Sequence, residues 1–180
     1  CGYKETRNNG KKLAATMKVN AAKLPLKIKQ KTTVLKVSGL ANGDSVASWK
    51  SGNTKVVKVS GKLNGTCTLA AGRKKGKTTI TIILKSGLKK KITITVQKAA
   101  VKTSKITGMP KNLKLKKNQT VTLKAAAAPL TSLQKLKYKS SNKKIVTVTS
   151  KGVVKAKKKG KAVITVQSGS KTVKCKVTVK

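Results

Sequence analysis

One stretch of this sequence occurs twice, and it constrains what the rest of the chain can fold into. The first copy runs from Trp49 to Val59 and the second from Tyr138 to Val148, so the two aromatic residues lie 89 positions apart. Each copy places the aromatic residue before a Ser/Gly-Asn turn and a short run of β-branched residues. That pattern is typical of two strands joined by a tight turn. A repeat at this spacing predicts two similar domains.

Other landmarks recur in the same order. Residues 75–82 resemble residues 159–166, and residues 92–96 resemble residues 175–179. The spacing drifts along the chain, which places short insertions and deletions in turns, where they are tolerated. The sequence therefore predicts four segments: an N-terminal arm or tether at 1–16, a first domain at 17–98, a short extended linker at 99–104, and a second domain at 105–180.

The periodicity within each copy indicates strands. Apolar and polar residues alternate at 24–29 and again at 173–180, as expected of half-buried strands. Pro25 predicts an edge strand, because proline cannot donate to a β-ladder. The alanines at 125–128 precede Pro129 and are predicted to form a strand-to-loop segment. The fold predicted is all-β, with two tandem β-sandwiches and a short N-terminal arm.

At these positions the chain resembles the bacterial immunoglobulin-like domain of group two. The resemblance lies in the aromatic residue, Ser-x-Asn turn and Val-x-Val strand of 138–148, and in the Lys-x-Gly motif before the Ile-Thr-Val strand at 160–166. The second copy matches almost throughout, whereas the first departs between Val59 and Gly72. The resemblance implies two tandem immunoglobulin-like β-sandwiches without activity of their own, a type of domain common in surface and secreted bacterial proteins and in adhesins. It therefore implies an extracellular, cell-surface or secreted location.

The charge of the chain is almost entirely of one sign. Lys and Arg number 45 against two acidic residues, and the formal net charge is +43. Such a field attracts polyanions, and the dominance of lysine over arginine favours point-charge attraction over bidentate recognition. Each cluster taken alone is also compatible with a solvated face that keeps the chain soluble. The polyanion-binding candidates are Arg73, Lys74, Lys75, Lys77, Lys89, Lys90, Lys91, Lys114, Lys116, Lys117, Lys143, Lys144, Lys157, Lys158, Lys159 and Lys161.

Residues for catalysis are nearly absent. The sequence contains no histidine, and its two acidic residues are Glu5 and Asp44. A serine or cysteine nucleophile would lack its usual base, a carboxylate pair cannot form, and no metal site has enough ligands. The sequence therefore predicts a protein that is not an enzyme and that binds no metal or cofactor.

The three cysteines and two of the aromatic residues have separate predicted roles. Cys67 and Cys175 alternate with polar neighbours and are predicted to be small buried hydrophobic residues. Cys1 precedes a glycine, as in a processed bacterial lipoprotein, and is a candidate for lipid attachment; the alternative is a free terminal thiol. No apolar stretch approaches the ~20 residues of a membrane span. Trp49 and Tyr138 are predicted to be core aromatics.

These observations favour a non-catalytic structural or adhesion module that associates electrostatically with anionic polymers of wall, matrix or host glycan. Two alternatives remain open at this point. The chain could be a self-assembling subunit of a surface fibre or sheath, or a non-specific polyanion or nucleic-acid binder. Specific nucleic-acid binding is not expected, because the aromatic residues that would stack on bases are assigned to the cores.

Overall fold

The computed structural model of the protein describes residues 15–180, and within that range the ordered elements are strands. The predicted arm at 1–16 falls almost wholly outside the described residues. The strands are β1 (Lys18–Val19), β2 (Lys23–Lys27), β3 (Lys31–Thr32), β4 (Val37–Ser38), β5 (Val46–Ser51), β6 (Val57–Gly61), β7 (Cys67–Ala71), β8 (Gly76–Leu84), β9 (Lys89–Gln97), β10 (Lys105–Thr107), β11 (Asn112–Leu115), β12 (Thr120–Thr122), β13 (Ala126–Ala128), β14 (Lys137–Ser140), β15 (Val146–Val148), β16 (Val153–Ala156), β17 (Gly160–Ser168) and β18 (Lys171–Val179).

The first repeat, β1 to β9, contains a four-stranded sheet in the order β2-β9-β8-β5 and a three-stranded sheet in the order β3-β7-β6. A short antiparallel pair, β1 and β4, completes it. Side chains of β8 alternate between buried and outward positions, as the two-residue period of a strand requires. Pro25 lies in β2, at one edge of its sheet, which agrees with its lack of a backbone donor.

The second repeat, β10 to β18, has the same arrangement. Its four-stranded sheet has the order β11-β18-β17-β14 and its three-stranded sheet the order β12-β16-β15. The core between them is aliphatic, as expected where aromatic residues are scarce, and its most buried members are Val146, Val154, Ala156, Ile164, Val166 and Cys175. The prediction of an all-β fold built twice is confirmed. The alanine run forms β13, which pairs with β10, so the predicted strand-to-loop assignment is also right.

The chain divides into two compact units at positions that differ from the predicted boundaries. The first holds residues 29–94 together with those before residue 24, and the second holds residues 24–28 and 95–180. The segment predicted as a linker, 99–104, therefore lies within the second unit. Val101 is 3% exposed and Thr103 is 4% exposed. Both are as well buried as the core strands around them.

Thr103 is held by hydrogen bonds to groups distant in the sequence. Its backbone N–H donates to Oε1 of Gln134 at 2.7 Å, and its hydroxyl lies 2.9 Å from the Ser132 hydroxyl and 2.7 Å from that of Ser168. The Ser168 hydroxyl in turn donates to the Gln134 carbonyl at 3.1 Å. A buried polar network with its partners satisfied fixes the segment in place.

Candidate functional site

The repeated turn is built from the same hydrogen bonds in both copies. In the first, the Ser51 hydroxyl donates to the Val57 carbonyl at 2.6 Å. In the second, the Ser140 hydroxyl donates to the Val146 carbonyl at 2.7 Å. The asparagine that follows accepts a backbone N–H two residues later in each copy, as an Asx turn does. The serine and asparagine thus connect the edge strand of one sheet to the edge strand of the other.

The turn places an aromatic residue at an open sheet edge in each repeat. Trp49 is directly opposite Ile82 in the β5–β8 register, and Tyr138 is opposite Val166 in the β14–β17 register. Ile82 and Val166 are fully buried, so both aromatic side chains lie on the core side of their strands. Because β5 and β14 are edge strands, nothing in their own sheet covers the far side of each ring.

The prediction of core aromatics agrees with the packing of Tyr138 against the buried core of the second repeat. Trp49 and Tyr138 are both half-buried and line surface pockets. The first pocket, of about 450 Å³, is lined by Trp49, Ser51, Thr54, Lys58 and Val59. The second, of about 220 Å³, is lined by Tyr138, Lys139, Ser140, Lys143, Thr147 and Val148.

A glycine packs against each aromatic ring from the opposite strand or turn. A Cβ placed on Gly61 would overlap the Trp49 indole, and one placed on Gly152 would lie 3.1 Å from the Tyr138 ring. The Trp49 ring N–H donates to the Lys62 carbonyl at 3.3 Å. Burial raises the pKa of the Tyr138 hydroxyl. Each ring is thus held firmly on one side and open on the other.

The candidate basic residues of the first repeat lie at two places. Arg73, Lys74 and Lys75 occupy the connection between β7 and β8, and Lys77 follows on β8 itself. Lys89, Lys90 and Lys91 form the start of β9. All seven side chains are exposed, and the Lys90 ammonium donates to the Met17 carbonyl at 3.4 Å.

In the second repeat, three connections that carry candidate lysines meet at one end of the sandwich. The Asn118 N–H donates to the Ala156 carbonyl at 3.0 Å, which joins the turn after Lys116 and Lys117 to the β16–β17 connection. The Lys157 N–H donates to the Ile145 carbonyl at 2.8 Å, which joins that connection to the turn after Lys143 and Lys144. Lys158 and Lys159 belong to the same β16–β17 connection and are exposed. Sequence reasoning named these residues, and the fold brings their backbones together.

Sequence reasoning missed four further lysines of the second repeat. Lys137 and Lys139 flank Tyr138 on β14, and Lys174 and Lys176 flank Cys175 on β18. With Lys114 on β11 and Lys161 on β17, they occupy the face of the four-stranded sheet that points away from the core. The signal was present in the sequence as lysines at alternate positions, but only the strand registers show that these lysines share one face.

The remaining reactive side chains are engaged in structural roles. The Ser86 hydroxyl donates to the Asp44 carboxylate at 2.7 Å and lowers the pKa of that carboxyl. Burial raises the pKa of the Cys67 thiol to about 11 and also raises that of Cys175. Both cysteines are buried and unbonded to each other, as predicted. Cys1 and Glu5 lie outside the described residues.

Within residues 15–180, no group of three or more His, Cys, Asp or Glu side chains comes together to hold a metal ion. The same range contains no helix long and apolar enough to cross a membrane.

The comparison with protein families decides the assignment of the second repeat. Residues 100–179 match the family model of the bacterial Ig-like domain, group 2. The second repeat is a bacterial immunoglobulin-like domain of group two. The matched range begins within the segment predicted as a linker, in agreement with the burial of Val101 and Thr103 in this immunoglobulin-like domain.

Similar proteins include one enzyme and several multidomain structures. A segment of 66 residues, 36% of this chain, is 46% identical to part of the kappa-carrageenase of Pseudoalteromonas carrageenovora, and it spans 17% of that enzyme. Domains 5–6 of the S-layer protein SbsC match 92% of this chain and 97% of theirs at 19% identity and a TM-score of 0.44. The EC1-2 repeats of human mucin-like protocadherin match 93% of this chain and 99% of theirs at 9% identity and a TM-score of 0.37.

Proposed function

We propose that this chain is a non-catalytic structural or adhesion module of an extracellular or cell-surface protein, and that it associates electrostatically with anionic polysaccharide of wall, matrix or host glycan. The observation that carries the proposal is the distribution of charge. Every lysine in residues 15–180 is exposed, and Asp44 is the one carboxylate side chain in that range. Asp44, which accepts hydrogen bonds from Ser86 and Ser45, carries a single negative charge and therefore offsets little of the positive charge of these lysines.

A charge of one sign needs a partner of the opposite sign. A surface with both signs interspersed would serve solubility equally well, so solubility alone does not account for the near absence of acidic residues. Exposed lysines on rigid strands attract a polyanion without ordering cost in the backbone. Lysine is also the side chain suited to point-charge attraction, in contrast to the paired hydrogen bonds of arginine.

The side-chain inventory supports a non-catalytic role. Cys67, with its pKa raised to about 11, is a thiol and not a thiolate at neutral pH, so it is a poor nucleophile. The sequence has no histidine to serve as its base. The similarity to the carrageenase covers 17% of that enzyme and therefore does not transfer its activity to this chain. It is compatible with an accessory module.

The same similarity supports the class of partner. The enzyme's name refers to carrageenan, a polysaccharide. Bacterial immunoglobulin-like domains occur as scaffolds on which binding surfaces are placed, so the partner must be inferred from the surface and not from the fold. Here that surface is uniformly cationic. Lipid attachment through Cys1 would keep such a module at the cell surface.

The test is retention of the chain on an immobilised sulfated polysaccharide, with an uncharged dextran matrix as the control. We expect retention on the sulfated matrix, elution by rising salt, and no retention on dextran, because screening weakens attraction between exposed charges. Retention on both matrices, or on neither at low salt, would contradict the proposal. Equal affinity for unrelated duplex DNA would favour a non-specific polyanion binder instead.

A further inference from the structure

The outer face of the second repeat's four-stranded sheet carries a regular array of lysines. On β17, Ala162, Ile164 and Val166 are buried, so the residues between them point away from the core. The registers with β14, β18 and β11 then assign the outward residues of the whole sheet. Six of these are lysines, which we call the lysine face: Lys114, Lys137, Lys139, Lys161, Lys174 and Lys176.

The lysines of this face alternate with neutral residues across the strands. Lys139 is opposite Thr165, which is opposite Lys174. At the next outward position along the strands, Lys176 lies between Val163 and Asn112. At the position after that, Thr178 lies between Lys161 and Lys114. Each of these lysines therefore has neutral cross-strand partners, which avoids the cost of like charges placed directly opposite. The arrangement is dense in charge but places no two of these lysines directly opposite each other.

The spacing makes the charges act together. Two strand spacings separate Lys139 from Lys174, which is about 10 Å, and two residues along β18 separate Lys174 from Lys176, which is about 7 Å. These distances are close to the Debye length of about 8 Å at physiological salt, so the potentials of neighbouring ammonium groups add. A flexible, extended polyanion that lies along the face meets several of them at once.

Protection of a sheet edge does not explain the lysines of the interior strands. Lysines on edge strands discourage pairing between molecules. However, β17 and β18 are the two interior strands of the sheet, and they carry Lys161, Lys174 and Lys176. Lysines at interior strands have no edge to protect.

The middle of the face has the shape and composition of a shallow binding site. A depression of about 400 Å³ is lined by Asn112, Ser141, Lys161, Ala162, Val163, Lys176, Val177 and Thr178. Val163 and the aliphatic stems of the lysines provide an apolar floor, while the amide and hydroxyl groups can bond to hydroxyls of a ligand. No aromatic residue projects from the outward rows of these four strands, so the stacking on which binding of unpaired bases depends is absent here.

We propose that the lysine face is the binding site for a linear anionic polysaccharide, one that carries sulfate or uronate groups. This inference rests on the proposed function and assigns its site. The polymer lies across the four strands with its acidic groups near the ammonium groups of Lys139, Lys174 and Lys176. Its hydroxyl and apolar surfaces meet the depression around Val163.

The test compares two triple variants of the full chain that lose the same charge. The face variant is Lys139→Gln, Lys174→Gln, Lys176→Gln. The control variant, Lys124→Gln, Lys151→Gln, Lys155→Gln, removes three exposed lysines that lie on the β12–β13 connection, on the β15–β16 connection and on β16. The probe is a size-fractionated heparin oligosaccharide, titrated at one fixed salt concentration. We expect the face variant to bind about tenfold or more weakly than the parent, and the control variant to stay within about threefold.

The possible outcomes separate this inference from the proposed function. Equal weakening of both variants would overturn the lysine face and leave electrostatic binding in place. Failure of the parent chain to bind the oligosaccharide would overturn both. Lysine acetylation of the parent chain, with and without the oligosaccharide, checks the site without any substitution. Protection of Lys139, Lys174 and Lys176 supports the lysine face, and protection confined to other lysines overturns it.

Discussion

The two repeats share a scaffold but differ in what they present to solvent. Both have the serine bond across the turn, the Asx turn and an aromatic residue at the open edge of the larger sheet. Half of the outward positions have diverged. Lys114, Lys137 and Lys176 of the second repeat correspond to Pro25, Ser48 and Thr93 of the first, whereas Lys139, Lys161 and Lys174 correspond to Lys50, Lys77 and Lys91. The hydrogen bonds between the sheets were thus kept while part of the face available to a partner changed.

The packing of the aromatic residues allows the largest test of this comparison. Gly61→Ala inserts a methyl group into the Trp49 indole, which must move because overpacking forces side chains from their positions. We expect a loss of about 1–3 kcal/mol in the free energy of unfolding. Since Trp49 is the one tryptophan of the chain, its fluorescence should shift in the same variant.

The matched change in the second repeat is Gly152→Ala. There the added Cβ lies 3.1 Å from the Tyr138 ring, which must shift by a few tenths of an ångström, and the positive φ of 79° costs about 1–2 kcal/mol. Unchanged tryptophan emission in Gly61→Ala would show that the first repeat does not hold its aromatic residue as described.

The segment that precedes the first strand of each repeat, β1 or β10, provides the next test. Thr103→Val removes a buried hydroxyl that lies within hydrogen-bond distance of both Ser132 and Ser168, and we expect a loss of about 1–2 kcal/mol in the free energy of unfolding, measured in urea. Thr16 occupies the corresponding place in the first repeat but is exposed, with its hydroxyl bonded to the Gly39 carbonyl. Thr16→Val should cost less than about 0.5 kcal/mol. Equal losses would mean that the two segments play the same part.

A third test makes the outward face of the first repeat more similar to that of the second. Thr93→Lys places a lysine on β9 of the first repeat at the position that corresponds to Lys176. If charge at this position contributes to polysaccharide binding, we expect affinity to rise by about two- to threefold, with Thr93→Gln as the uncharged control. The measurement is a titration with the sulfated oligosaccharide. An equal gain in both variants would argue against a role for the added charge.

The smallest effect expected is a pH dependence of the stability of the first repeat. The Ser86 hydroxyl lowers the pKa of the Asp44 carboxyl in the folded state. The interaction therefore stabilises the fold at pH values above 3.8, the ordinary pKa of this group, and the stabilisation is lost as pH falls through the lower pKa of the folded state. In the Asp44→Asn variant, the free energy of unfolding should depend less on pH between neutral and strongly acidic conditions than it does in the parent chain. The second repeat contains no Asp or Glu, so its own unfolding should vary little over that range. A Ser86→Ala variant that retains the parent's pH profile would contradict this account.

The sequence was sufficient to predict the features that depend on neighbouring residues, such as the alternation of apolar and polar side chains along a strand. Alternation along β18 predicted that Cys175 is buried, and Pro25 predicted an edge strand; both are confirmed. The sequence did not indicate that Trp49 and Tyr138 are only half-buried at a sheet edge, because the position of β5 and β14 depends on strand order, which pairs residues far apart in the chain. The partners of Thr103 lie at 132, 134 and 168, and no pattern within 99–104 indicates them. The lysine face was missed for the same reason: each strand contributes at most two lysines to it, and only the registers assemble the six.

The placement of lysines within paired strands also affects how long the protein resists proteases outside a cell. Each lysine is a cleavage point for trypsin-like proteases, and the described strands carry them throughout their length. Such enzymes need a locally unfolded segment, so a chain this rich in lysine is digested at a rate set by how often its strands open. For this protein, the lifetime in a protease-containing medium should be a direct measure of how well its β-sheets stay closed.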